Sequence, residues 1–445
     1  MAILDIQFVF FLIFLAILTL FAHFKKKNFT MQKIAYPFLY FSMYRTKLGL
    51  KFMDSAATKY RRIFTFLTGA ILIITGIYFN AIFPTEYSSS VITYIMIATR
   101  IAVLLSGIII MIFPQFFDYV IIFFGFFGMA IIIATLSWSF LGMIMKKEAA
   151  TGVQLVLPIK GKGIFHIPFL YWIASIMIIV VVHEFAHGLL ARMHKIKVKS
   201  SGFAFVSVLI PVIPLAFVEP DEKTLSKKSL KQQLSVFAAG PFSNIIATFV
   251  FAFIILGLSS ASSHFIEADG VKIVDYTKGN NTIYPAEKTG LKGLTINKLD
   301  GKEILYLQNL SDALEEKNPG ERVRLETDNG TYSMVLAKDP NNSSRAFMGI
   351  SPEQKIKIKG NSGIFSRAMA QVLSWLATLF GFLTLLNLGI GLFNLIPSGP
   401  LDGGRMANSV IKRFFEKEKG AKIFGFISLL FFVIIVASIL FSFFK

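Results

Sequence analysis

The sequence predicts a polytopic α-helical membrane protein of about eight transmembrane helices, with a soluble α+β domain inserted late in the chain and a short membrane-associated β element. Three observations predict it. Of the 445 residues, 54% are hydrophobic and 48 are Phe, and the mean hydropathy is +0.64, a composition suited to a largely lipid solvent. The apolar residues gather in runs long enough to cross a hydrocarbon core of about 30 Å. After Leu258 that pattern gives way to charged, Asn-rich and Gly-rich sequence for about a hundred residues, enough to fold as a domain.

The net charge of +19 sits in Lys and Arg clusters beside apolar runs, which fits the positive-inside rule and argues against a nucleic-acid partner. There is no Cys. Disulfides and thiolate chemistry are therefore excluded, and a bound metal must be held by His and carboxylates.

Residues 1–62 comprise a first span, Phe8 to Ala22, and a basic, partly amphipathic stretch from Lys25 to Arg62 that should lie on the cytoplasmic surface. No small-residue cleavage site follows the first run, so it reads as an uncleaved span. Residues 63–145 hold three more spans, Phe64 to Phe83, Val91 to Ile112 and Phe116 to Met145, joined by the loops Pro84 to Ser90 and Phe113 to Gln115. Packing and lipid contact account for them.

Residues 146–258 carry the chemistry. A polar stretch, Lys146 to Phe165, leads to Pro168, which opens a helix containing His183-Glu184-Phe185-Ala186-His187. The i, i+4 spacing puts both imidazoles on one helix face, one turn apart, where they can bind one zinc ion. Glu184 is placed to act as general base on the attacking water. Ionisable groups at membrane depth are costly unless satisfied, so this cluster marks a functional site. Between Val198 and Pro220, β-branched and aromatic residues with three prolines predict a β-hairpin or re-entrant loop bordering the site. A basic stretch and a span from about Leu234 to Leu258 follow. Residues 259–358 form the soluble insert, with hairpin-turn signals at Asp300-Gly301 and Asn329-Gly330, a short helix at Ser311 to Lys317, and strands at Arg322 to Leu325 and Tyr332 to Leu336. Residues 359–445 return to the membrane through Ala368 to Ile396, break at Pro397-Ser398-Gly399-Pro400-Leu401-Asp402-Gly403-Gly404, and end in a span from Ile423 to Phe444.

A catalytic zinc takes three protein ligands. Asp402 is the expected third, in a Pro/Gly-broken segment that can bend back toward His183 and His187; pairing with Arg405 is the plain structural alternative. Asn244 and Asn394 are candidate donors to a developing oxyanion, with an interhelical hydrogen bond as the competing role for each. His23, His166, His194 and His264 suit interfacial or solvated positions better than ligation.

Together these residues resemble the site-2 protease family, the intramembrane zinc metalloproteases of peptidase family M50: the histidine motif inside a span, Gly240-Pro241 with Asn244, and Asn394 with Pro397, Leu401, Asp402 and Gly403. The resemblance runs from about Gln154 to Arg413. It implies a zinc metalloendopeptidase that cleaves transmembrane segments of membrane-protein substrates, with one zinc per chain on His183, His187 and Asp402 and with Glu184 as base. Pro285 to Gly293, continuing to Asp300-Gly301, looks like the core of a PDZ domain, although no Gly-Leu-Gly-Phe loop is present. Such inserts dock substrates or peptides, with strand addition as the physical mode.

Positive-inside reasoning puts Lys195 to Lys231 in the cytoplasm, the active site nearer that side, and the insert on the far side of the cell membrane. Lys146, Lys147, Lys160 and Lys162 run against that parity. A substrate helix must be unwound before attack, and an edge within Val198 to Pro220 could hold it extended. The alternative reading is a transporter or channel using His183, Glu184, His187 and Asp402 as a proton or metal pathway. A zinc-holding scaffold without activity is disfavoured by Glu184.

Overall fold

The computed structural model describes residues 6–24, 29–35, 39–79, 90–145, 153–208, 210–277, 283–340, 342–359 and 364–444. The expected loop Pro84 to Ser90 falls almost wholly outside these, as do Lys146 and Lys147. The chain divides into two compact units, residues 1–255 with 378–445, and residues 256–377.

In the first unit, α1 (Ile6–Phe24) is followed by β1 (Phe29–Ala35), β2 (Leu39–Thr46), α2 (Leu50–Thr58), α3 (Arg61–Ile77), α4 (Ser90–Ile112) and α5 (Phe117–Ile144). After a parallel ladder of β3 (Leu155–Leu157) and β4 (Ile164–His166) come α6 (Phe169–Met193), β5 (Val198–Val208), β6 (Ile210–Pro220) and α7 (Leu230–Ser262). Among the described residues, six helices are long and apolar enough to cross a membrane, from Thr93–Ile112 through Lys417–Phe443. The bent pair α2 and α3, at 81°, makes up to seven, and Ile6–Leu20 is apolar but shorter. Length and composition thus give six or seven spans where the sequence suggested about eight.

The basic stretch after the first span departs further from expectation. Much of it is strand: β1 and β2 pair with each other, and β2 joins β5 to give one antiparallel sheet in the order β1-β2-β5-β6. Phe29-Thr30-Met31-Gln32 and Phe41-Ser42-Met43 alternate apolar with polar residues, the pattern of a strand. Gly202 permits the close approach of the two hairpins. A Cβ there would lie 2.0 Å from the Tyr44 carbonyl oxygen, so only Gly fits. The expected β element at Val198 to Pro220 is thus one half of a four-stranded sheet. β5 is interior, and the free edges belong to β1 and β6.

α6 starts after Pro168, its N-cap. Trp172, Ile176 and Ile179 are buried against Leu379, Leu383 and Leu386 of α10 (Ile364–Asn394), while Ala186, Leu190 and Ala191 pack with Val236, Phe237 and Ala238 of α7. Side chains three or four apart thus carry two contact stripes along one helix. After α10 the chain turns through Leu395 to Leu401 into α11 (Asp402–Phe414) and then α12 (Lys417–Phe444).

The second unit has its own core around Ile273, Leu291, Ile296, Leu299 and Leu325. Its antiparallel sheet runs β11 (Gly330–Val335), β10 (Arg322–Thr327), β8 (Thr295–Leu299), β7 (Ile266–Tyr276) and β14 (Ile350–Ile358), with β9 (Lys302–Glu303) pairing β8 and a separate ladder of β12 (Ala337–Lys338) and β13 (Ala346–Phe347). Two short helices, α8 (Pro285–Thr289) and α9 (Leu307–Glu315), complete it. Asp300 and Gly301 both have positive φ, 49° and 82°, the requirement of a type I′ hairpin turn. At the second hairpin Thr327 pairs Gly330, so the turn residues are Asp328 and Asn329, one position earlier than the Asn-Gly signal suggested.

Candidate metal centre

The i, i+4 spacing on α6 brings the two imidazoles together, with His183 Nε2 and His187 Nε2 3.1 Å apart. The break after α10 delivers the third group. Asp402 Oδ2 lies 3.1 Å from His183 Nε2 and 3.2 Å from His187 Nε2. That return depends on glycines: a Cβ on Gly403 would sit 2.1 Å from the Leu395 carbonyl oxygen, and one on Gly404 2.7 Å from those of Ser398 and Gly399. All three ligand residues are buried. Arg405 does not pair with Asp402; it bonds Glu222 and lies over the Phe237 ring.

The far side of each ring fixes its tautomer. His187 Nδ1–H donates to the Val236 carbonyl at 2.7 Å. His183 Nδ1 lies 3.2 Å from the Asn244 side-chain amide, whose Oδ1 is buried and otherwise without a hydrogen bond. With the amide turned so that Oδ1 faces the ring, that oxygen accepts the Nδ1–H and gains the partner it lacks. Both Nε2 atoms then present lone pairs to the point Asp402 Oδ2 also faces. Three lone-pair donors held against one another in a buried site call for a cation between them. Ligand atoms about 2.0–2.1 Å from a tetrahedral zinc are about 3.3–3.4 Å apart, so these residues fit zinc with a small outward adjustment.

Asn244 is thus turned to the back of His183, away from the convergence. Its side-chain amide lies against Nδ1 of that ring. Asn394 borders the cavity, but its Nδ2–H donates to the Ile390 carbonyl of its own helix at 3.0 Å. Glu184 lies beside the ligand cluster. Its Oε2 accepts the backbone N–H of Val218 on β6 at 2.8 Å, and among the described residues its Oε1 accepts no hydrogen bond. The cavity these groups share has a volume of about 240 Å³ and is bounded further by Phe217, Pro220, Pro400 and Leu401.

Val218, Val236 and Gly240 were not anticipated as site residues. The first two act through backbone atoms, which no side-chain pattern reveals. Gly240 had a signal in the Gly-Pro pair inside a span: a Cβ there would lie 2.3 Å from His187 Nε2 and 2.5 Å from His183 Nε2, so the rings rest directly on the α7 backbone. His194 is buried rather than interfacial, bonded to Ser235 at 2.9 Å and facing Asp118 at 3.3 Å. His264 bonds the Ser260 carbonyl, and the side chain of His23 is outside the described residues.

The second unit has its own cavity, of about 220 Å³, between α9 and the start of β14. Leu310, Leu314 and the run Phe347-Met348-Gly349-Ile350 line it. Gly349 has φ 77°, and a Cβ there would meet Tyr284 at 2.1 Å.

A buried His-His-Asp cluster beside a glutamate, assembled from one apolar helix and the break after another, is a donor set that could hold a metal ion. The chain belongs to peptidase family M50, which it matches over residues 171–438, and it is a multi-pass membrane protein. It is 28% identical over 338 residues to an uncharacterized protein of Methanocaldococcus jannaschii, covering 72% of this chain and 80% of that protein. It is 25% identical over 345 residues to a Fusobacterium nucleatum protein named "Putative zinc metalloprotease", covering 60% of this chain and 97% of the other. Solved PDZ domains of SdrC-like proteins from Listeria monocytogenes and Listeria innocua match 19% and 20% of this chain and 87% and 97% of their own, at 22% identity and TM-scores of 0.16 and 0.17.

Proposed function

We propose that this protein is an intramembrane zinc metalloendopeptidase that hydrolyses peptide bonds within or next to transmembrane segments of membrane-protein substrates. The convergence of His183 Nε2, His187 Nε2 and Asp402 Oδ2 within 3.2 Å, with Glu184 alongside, carries this reading. His183, His187 and Asp402 would hold one zinc ion, which would supply Lewis acidity to the scissile carbonyl and to the attacking water. Glu184 takes the water's proton on Oε1 and returns it to the leaving amine, while the Val218 N–H holds Oε2 and fixes the carboxylate plane. Asn244 and Val236 hold the two rings with Nε2 inward, so that no reorientation is needed at the moment of reaction. The buried Val236 and half-buried Leu401 limit the water that competes with substrate groups.

β6 offers a free edge beside the cluster, suited to holding an unwound substrate segment by main-chain hydrogen bonds. The insert, residues 259–358, is read as a PDZ-like docking domain outside the cytoplasm, with the catalytic cluster nearer the cytoplasmic side. Its groove along Phe347 to Ile350 is suited to an extended peptide. The test is cleavage of a transmembrane peptide, helix-destabilised at its centre, by purified full-length protein in micelles. Glu184→Gln is expected to keep about one zinc and lose at least 10²-fold in rate, the lower range for a general base. Undiminished cleavage by that variant overturns the assignment of Glu184.

A further inference from the structure

On the other side of Glu184 from the ligand cluster lies a second cavity, of about 140 Å³. It shares Glu184, Phe217 and Val218 with the metal-facing cavity. Part of its remaining wall comes from outside the M50 match: Thr46 at the end of β2, Leu48 and Gly49 in the turn, and Met53 in α2, facing Val181 and Phe185 of α6 and the β5–β6 hairpin from Ser201 to Phe203 and at Ala216.

This N-terminal wall is built against α6 residue by residue. The Phe52 and Phe185 rings lie 5.4 Å apart, Ala56 and Ala57 pack on Leu189, and Asp54 pairs with Arg192 at 2.9 Å. Met53 reaches the α6 backbone at Gly188, where a Cβ would lie 2.6 Å from its Sδ. Phe185, Gly188, Leu189 and Arg192 recur at three- and four-residue steps on one helix face. The turn is held by Ser201 Oγ–H donating to the Leu48 carbonyl at 2.5 Å and Thr46 Oγ1–H donating to the Ser201 carbonyl at 3.1 Å.

We infer that residues 46–53 complete a specificity pocket that takes one apolar side chain of the substrate, branched or aromatic, next to the bond being cleaved. This deepens the protease reading and rests on it. Continuity with the ligand cavity through Glu184 and Val218 decides the occupant: a chain paired along the β6 edge beside Glu184 places a neighbouring side chain in this cavity. The lining is mostly aliphatic and aromatic, the Thr46 and Ser201 hydroxyls are already bonded, and its one ionisable group is Glu184, so an acidic side chain there would be left unpaired and repelled. The volume admits a single side chain and excludes a helix.

The test uses full-length protein loaded with zinc in micelles and a set of synthetic transmembrane peptides with a Gly-Pro centre, each carrying Ala, Leu, Phe or Asp at one position around it. Mass spectrometry reads the bond cut and the rate. The parent is expected to prefer Leu or Phe over Ala by about tenfold or more at one position beside the cut, the discrimination a pocket gives a few methylenes, and to reject Asp. Ala216→Leu, which fills the pocket, should cut the Leu-to-Ala ratio about tenfold while the Ala peptide is still cleaved. Met53→Ala, which enlarges it, should shift preference toward Phe. Zinc content reports folding in both variants. A parent that cleaves with no side-chain preference overturns the pocket without any variant. So do unchanged ratios in both zinc-loaded variants, including the case where Ala216→Leu releases a co-purified lipid, which would assign the cavity to an acyl chain. A zinc-loaded parent that cleaves none of the peptides rejects the protease reading and the pocket with it.

Discussion

At His183 and His187 the position of each ring depends on what lies behind and beneath it. Asn244 and Val236 hold the tautomers, and Gly240 clears the space the rings occupy. Asn244→Ala should weaken zinc binding by about 10- to 100-fold, the usual cost of losing a ligand's outer partner, as titration against a competing chelator would show. An unaltered affinity would make Asn244 a packing residue. Gly240→Ala should lose zinc more completely, because its methyl would overlap both Nε2 positions. That His183, His187 and Asp402 come together was legible in the sequence because the histidines stand one helical turn apart and Asp402 follows a Pro/Gly break that lets the chain turn back. The backbone donors and acceptors were not, since any residue at positions 218 and 236 supplies the same N–H or C=O.

At the scale of elements, the central correction is the sheet. The pairing of β2 with β5 could not be foreseen, because the partner lies about 160 residues away and long-range pairing leaves no local trace. Gly202→Ala should separate the two hairpins by forcing a methyl against the Tyr44 carbonyl; hydrogen exchange is expected to rise along β2 and β5, and unchanged protection would contradict the register. In the inserted unit, Lys317 joins Asp300 at 2.8 Å and Glu321 at 2.7 Å. Glu321 is held below the ordinary glutamate range chiefly by the Lys317 hydrogen bond, and Asp300 is lowered by the same lysine against the opposing effect of partial burial. Carboxylates lowered by folding stabilise above their unfolded pKa values, and that contribution is lost as pH falls through the lower folded ones. Lys317→Met should therefore lower the unit's melting temperature at pH 7 and lose its effect as pH falls below the ordinary carboxylate range. A difference that persists in acid would point to packing of the lysine stem instead.

For the whole molecule, the apolar runs made the membrane class plain, whereas the number of spans depends on how the bent α2–α3 pair and the short first helix are counted. Sidedness is testable because the chain has no Cys. With Lys199→Cys and Asn329→Cys introduced singly, an impermeant maleimide added outside intact cells should label the second and spare the first; the reverse pattern would invert the topology. The claim on which everything else depends is the three-ligand centre, and zinc per chain in the purified protein measures it without knowledge of any substrate. About one zinc in the parent, lost or weakened in both His187→Ala and Asp402→Ala with the fold intact, is the expected result. A folded parent that takes up no zinc would contradict the centre and bring forward the reading of His183, Glu184, His187 and Asp402 as a proton or metal pathway.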